Sequence, residues 1–237
     1  RDCEPGREGG IWLGASETGK ISCLLNIFQP IEAFKQNTTG RGFLALNFLQ
    51  NNFSSQDYVN TIKESNIKYN LFNLLLLEYR RNSYEASYFN NVDNTSTNLD
   101  TDKVHGFGNC LISNDFKKIE RGKKFFGEVI KNYGTKEKET DLKDSLFEMM
   151  AKRDPFYPDE QLSTQGRGYD EYFIKGLSSI WIAMPEARYG TRTTTVILVD
   201  SNNRLTFSER TMETPSADCK DFLNSDFTMD LKIQNKL

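Results

Sequence analysis

The stretch Gly190-Thr-Arg-Thr-Thr-Thr-Val-Ile-Leu-Val-Asp200 constrains the architecture more than any other part of the chain. Val196 to Val199 is an unbroken apolar run of strand length, and such a run reads as a strand covered on both faces. An Asp200-Ser-Asn-Asn203 turn returns the chain into a second strand-like run, Arg204 to Glu209. Arg192 stands at the mouth of this hairpin. A guanidinium beside a buried strand calls for a partner, because an unpaired buried charge is expensive.

With 237 residues the chain is long enough to bury a sizeable core as one domain. Its net charge of −3, with both signs interspersed, argues against electrostatic binding of nucleic acid or of an anionic membrane as the main activity. No apolar run approaches the roughly 18 residues of a membrane-spanning helix. Cys3, Cys23, Cys110 and Cys219 are scattered, without a Cys-x-x-Cys pair, so no zinc site is expected. Cys23 and Cys110 lie in apolar runs and read as buried free thiols. Sequons at Asn37, Asn52 and Asn94 read as chance in an asparagine-rich chain, and no signal peptide is visible. An intracellular protein with reduced thiols is the expectation. Arg1-Asp-Cys-Glu-Pro-Gly reads as a turn, which suggests a chain whose true N-terminus lies upstream.

Along the chain, Ile11 to Ala15 and Lys20 to Ile27 read as strands joined by a Ser16–Gly19 turn. Helices are expected over Arg41–Gln50 and Ser55–Glu64, the latter capped by Ser54 or Ser55. Leu71–Tyr79 is a strand too apolar for an edge. Residues 80–103 are polar and low in complexity, and read as a loop insertion with at most a short return strand at Tyr84–Phe89. Val104–Ile112 reads as a strand and Asn114–Lys131 as the clearest helix. A second helix, Thr140–Lys152, has Thr140 and Asp141 to begin it. Asp154–Tyr172 reads as irregular; strands follow at Leu177–Met184, Thr193–Val199 and Arg204–Glu209, with a last one at Phe227–Ile233. Helix pairs between groups of antiparallel strands predict an α+β protein with packed sheets and helices outside.

Conventional catalytic signatures are missing. His105 is the one histidine, no Gly-x-Ser-x-Gly elbow exists, and neither a dinucleotide fingerprint nor a P-loop is present. What remains are asparagines and arginines at strand ends: Asn26, Asn70, Asn73, Asn109, Arg41 and Arg192. Asparagine can donate to a carbonyl or oxyanion, and arginine can clamp a carboxylate. The same residues also cap turns and satisfy buried backbone groups.

The blocks Pro5-Gly-Arg-Glu-Gly-Gly-Ile-Trp-Leu-Gly14, Leu24-Leu-Asn-Ile27, Gly40-Arg-Gly42, Tyr69-Asn-Leu-Phe-Asn73, Gly106-Phe-Gly-Asn109, Phe116 with Gly122-Lys123, and Gly190–Met212 occur in a characteristic order. In that order they resemble the transport and Golgi organisation 2 family, also called the NRDE family. Segment 80–103 and the tail beyond about 213 carry no match. Members begin with Met-Cys, a strand and an Asn-Arg-Asp-Glu motif; this sequence starts downstream of that motif, and Cys3 does not replace the terminal cysteine.

The resemblance implies a single domain, 1–237, without its N-terminal strand, and an N-terminal-nucleophile-hydrolase-like four-layer αββα sandwich of antiparallel sheets. It implies haem trafficking linked to acyl-CoA and lipid homeostasis and to Golgi organisation and secretion, with cytoplasmic, mitochondrial or Golgi association. Haem would be a cargo, not a tightly bound cofactor. The ligand would be haem or an acyl lipid, held by Asn26, Asn109, Arg192, Arg41 and Asn73; no nucleic acid, metal or transmembrane segment is expected, though peripheral association with an organelle is. The alternative is a cysteine amidohydrolase, inactive without its terminal nucleophile, in which Asn26 matches the oxyanion asparagine, Asn109 a second site asparagine and Arg192 the late site arginine. A third possibility is a non-catalytic interaction protein of the secretory pathway.

Overall fold

The computed structural model describes residues 2–3, 7–36, 38–80, 83–214 and 221–232. The Asn37 sequon, Cys219 and Ile233 lie outside the described residues. The chain divides into two compact units: one from the described parts of 1–103, 108–111 and 231–237, the other from 104–107 and 112–230. Each is built of helices and antiparallel sheet.

The first unit is a five-stranded antiparallel sheet in the order β1 (Leu13–Ala15), β2 (Ile21–Asn26), β3 (Phe72–Arg80), β4 (Ser83–Asn90), β5 (Ser96–Leu99). β3 is the central strand, as its four consecutive leucines demand. One face presents Leu24, Phe72, Leu74, Leu76 and Phe89. Helices α1 (Gly42–Gln50) and α2 (Ser55–Glu64) cover that face with Leu44, Ala45, Phe48, Tyr58 and Val59. Full burial of Phe48 and Phe72 contributes about 1.5–3 kcal/mol each. Ser54 caps α2 by accepting from the Asp57 amide.

Two contacts fix where α1 sits. Gly10 and Gly42 touch backbone to backbone: a Cβ on Gly42 would lie 3.0 Å from the Gly10 Cα, and one on Gly10 would lie 3.2 Å from the Gly42 Cα. At the other end, the buried Lys20 ammonium donates to the carbonyls of Phe48 (3.2 Å), Asn51 (2.7 Å) and Phe53 (2.8 Å), and lies 4.4 Å from the Phe48 ring centre. It closes the C-terminal end of α1, where helix carbonyls lack intrahelical partners and favour a cation.

Segment 80–103 is not a loop. β4 pairs along its whole length with β3, and β5 pairs with β4. Tyr88 and Phe89 are fully buried on opposite faces. β5 reads Ser-Thr-Asn-Leu because it is an edge strand half-open to water. Between β4 and β5, Asn91–Thr95 turns: Asn90 Oδ1 accepts from the amides of Val92 and Asp93, and Asn94 takes a φ of 56°. The expected strand Val104–Ile112 is likewise absent. Its glycines break it, and it is divided between the units, 104–107 and Ile112 in the second and 108–111 in the first.

In the second unit α3 (Lys117–Tyr133) and α4 (Glu139–Met150) accompany a three-stranded sheet ordered β10 (Phe222–Asp230), β9 (Arg204–Met212), β8 (Thr193–Val199). Leu146, Phe147 and Val196 form the core between α4 and β8, flanked by Phe126, Val129, Leu142 and Leu198. β8 is an edge strand here, with Ile197, Leu198 and Val199 only half-buried. Burial follows place in the sheet, and β9 supplies the central strand, with Leu205 fully buried. Thr140 does not cap α4; the helix starts one residue earlier, with no side-chain cap.

The stretch expected to be irregular holds α5 (Glu160–Gln165) and the start of α6 (Glu171–Leu177). Asp159 and Asp170 cap them by accepting from the amides of Leu162 and Phe173. α6 consumes the start of the expected Leu177–Met184 strand, leaving β6 (Ala183–Met184), which pairs with β7 (Tyr189–Gly190).

Candidate functional site

Four of the six strand-end residues meet in the first unit, around one end of β2 and β3. Asn73 lies on the sheet face away from α1 and α2, in register with Leu25 and Asn90. Its amide nitrogen donates to the carbonyls of Gly108 (3.0 Å) and Cys110 (2.6 Å), and its oxygen accepts from the Tyr88 hydroxyl at 2.7 Å. Asn109, between those two carbonyls, donates its amide to the Asn26 carbonyl at 2.7 Å and accepts from the Phe28 amide. Arg41 Nη1 donates to the Leu71 carbonyl at 2.8 Å, the same oxygen that receives the Ile27 amide. Burial lowers the pKa of Arg41, and the like charge of Arg7 adds to this.

The chemistry of this cluster is mostly committed. The amides of Asn73 and Asn109 strap 108–110 onto the sheet, as buried asparagines commonly do. Asn70 does the same, holding Lys35 from both sides. Asn26 differs: its side-chain oxygen is buried and has no hydrogen-bond partner.

Arg192 belongs to the second unit, and it is exposed rather than buried, so water solvates it. It lines a cavity of about 510 Å³ with Ile182, Met184, Arg188, Tyr189 and Met212. The β6–β7 turn builds one side, with the Arg188 amide donating to the Pro185 carbonyl and Arg188 taking a φ of 49°. Two further bonds anchor the floor: Thr191 N–H to the Ile182 carbonyl (2.8 Å) and Met212 N–H to the Arg192 carbonyl (2.9 Å). Met184 is buried against Gly176, and Met212 is buried too. Tyr189 stands at the rim as the last of three rings in contact, Tyr169–Phe173 at 5.0 Å and Phe173–Tyr189 at 5.7 Å. Among the described residues, no hydrogen bond or ion pair engages either guanidinium. An apolar floor beneath two uncommitted cations suits an amphipathic anion.

Sequence reasoning singled out Arg192 but missed Arg188, Tyr189, Met184 and Met212. The available signal was Pro185-Glu-Ala-Arg-Tyr-Gly-Thr-Arg192, a turn that sets two arginines four residues apart. His105 is exposed and stacks beside Phe107, with ring centres 6.2 Å apart. Burial pushes the Cys23 thiol up to about 11, which keeps it protonated and unreactive at neutral pH. Among the described residues, no group of His, Cys, Asp and Glu could hold a metal ion, and no helix is long and apolar enough to cross a membrane.

Comparison with known proteins adds to this geometry. The family model described as Transport and Golgi organisation 2 matches residues 1–214. Transport and Golgi organization protein 2 of Drosophila melanogaster is 32% identical over 219 residues, covering 89% of this chain and 75% of that protein. The homologues of Bos taurus and Homo sapiens are each 31% identical over 212 residues, with the same coverage. The matched span contains both the asparagine cluster and the cavity at Arg192, whereas β10 lies beyond it.

Proposed function

Because the chain belongs to the transport and Golgi organisation 2 family, we propose that it serves Golgi organisation by binding an amphipathic anion, haem or an acyl-CoA-like lipid, as transported cargo. The observation that carries this reading is the cavity at Arg192, where Arg188 and Arg192, without ion-pair or hydrogen-bond partners for their guanidinium groups among the described residues, line it together with Met184, Ile182 and Met212. Guanidinium groups pair bidentately with carboxylate or phosphate, and the floor takes the apolar body. Haem offers propionates to such a site; an acyl-CoA offers phosphates. Haem here is cargo held by its edge, with no demand on an iron ligand. The helix-on-sheet units are what an αββα scaffold would use as its halves.

The amidohydrolase reading has less support. It needs asparagine amides free to bind an oxyanion, and those of Asn73 and Asn109 are already spent on backbone carbonyls. At Asn26 the orphaned atom is the side-chain oxygen, an acceptor that cannot bind an oxyanion.

Titration with haemin, followed by the Soret band, and with palmitoyl-CoA, followed by calorimetry, tests the proposal. Saturable binding of one of them is expected, weakened about tenfold to a hundredfold by Arg192→Ala and again by Arg188→Ala. Absence of saturable binding to both, or affinity indifferent to the two substitutions, overturns it.

A further inference from the structure

Ile31 and Phe34 are more than half exposed, at 52% and 58%, on a single 3-10 turn closed by the Phe34 amide donating to the Ile31 carbonyl. Residues three apart on such a turn share a side. The turn is held firmly. Buried Asn70 accepts from the Lys35 amide (3.1 Å) and donates to the Lys35 carbonyl (2.7 Å) and the Thr38 hydroxyl (2.8 Å). The adjoining segment is tied on by the Thr39 amide to the Lys68 carbonyl at 2.9 Å, and it exposes Ile67, at 51%. Lys35 follows Phe34 and Lys68 follows Ile67, both exposed, and Glu32 is the one acid on the turn.

We propose that the Ile31–Phe34 turn, with Ile67, docks the protein on an anionic lipid bilayer, the apolar side chains entering the interfacial layer while Lys35 and Lys68 meet the headgroups. A rigid loop that already displays its apolar tip has little ordering left to do on binding. Aliphatic and aromatic tips flanked by lysine match the bilayer boundary, which takes apolar surface and attracts cations. The charge pattern favours a membrane over a second copy of this chain, because a two-fold contact through this patch would bring the lysines of both copies together. The net charge of −3 excludes attraction of the whole protein to such a surface, so the turn must supply a local one.

Vesicle sedimentation tests this with the full chain. Binding is expected to phosphatidylcholine vesicles containing about 30% phosphatidylserine and not to phosphatidylcholine alone, and it should weaken at high salt. Phe34→Asp, an exchange at an exposed site, should keep the wild-type circular dichroism melt and reduce binding by about tenfold or more. Lys35→Glu with Lys68→Glu should remove the preference for phosphatidylserine. Brominated lipid should quench Phe34→Trp in a Trp12→Phe background. The proposal is overturned by absent binding to phosphatidylserine vesicles, by Phe34→Asp binding like wild type, or by absent quenching. A lipid-free dimer abolished by Phe34→Asp also overturns it, assigning the turn to a second copy.

Discussion

Lys20→Met isolates the contribution of one buried cation to helix α1. The substitution keeps an unbranched apolar side chain of matching length up to Cε, with sulfur in place of Cδ, and removes the ammonium. Three carbonyls, those of Phe48, Asn51 and Phe53, then lose their donor, at sites where the lysine is only 8% exposed. Desolvation of the ammonium works against this loss. Burial lowers its pKa, Glu78 raises it in opposition, and Arg80 lowers it further. The bond to Phe48 is buried and those to Asn51 and Phe53 part-buried; an orphaned buried carbonyl costs about 1–3 kcal/mol and the others less, and the relief of desolvation offsets part of the sum, leaving a net destabilisation of about 3 kcal/mol. That is a factor of roughly 100 in the local opening equilibrium. Hydrogen exchange read on peptides spanning residues 42–51 is the suitable assay, because the two units need not unfold in one step. Exchange in α1 should accelerate by about that factor, with α4 in the second unit unchanged. Unaltered α1 exchange would mean that water replaces the ammonium without loss, and the capping argument would be wrong.

Two other predictions concern buried groups of the first unit. The Cys23 thiol titrates at about 11 in the fold against 9.0 for the free group. The unfolded chain therefore loses its proton first, and stability should fall as pH rises from about 9 to 11, by about 2–3 kcal/mol. Urea midpoints across that range should fall less steeply for Cys23→Ala; an identical slope would refute the assignment. Asn73→Leu removes the donor to the carbonyls of Gly108 and Cys110 and the acceptor of the Tyr88 hydroxyl, and should cost about 3–5 kcal/mol with faster exchange at 108–111. A loss below about 1 kcal/mol in thermal melts would show the strap to be dispensable.

The legible parts of the fold were those whose side chains state their own burial. Leu74 to Leu77 announced a central strand, and Ser54 before Asp57 announced the start of α2. Where burial depends on a neighbour, the sequence misled. Val196 to Val199 reads as doubly buried, yet its strand lies at a sheet edge. Asn90 to Asn94 hid β5 and left β4 (Ser83–Asn90) as no more than a short return strand at Tyr84–Phe89, because asparagines that build one turn looked like loop on both sides of it. Asp159 and Asp170 were valid helix starts obscured by the nearby prolines and glycines. At the candidate sites residue identity was informative and residue duty was not. Asn26, Asn73, Asn109 and Arg41 do gather, but only the structure shows that backbone carbonyls take up Asn73, Asn109 and Arg41. Arg188 was legible only as an arginine in a turn four residues before Arg192; the β6–β7 turn puts both on one cavity.

The contact between Gly10 and Gly42 has no slack for later adjustment. Where two side chains meet, enlarging one can be offset by trimming the other, and a sequence can wander along that trade. Here both partners are already at the smallest residue, so any growth at either position displaces backbone by a few tenths of an ångström. The displaced piece would be the start of α1, with Arg41 immediately before it. No second substitution at the partner position can restore the fit, so variation here is closed in pairs as well as singly.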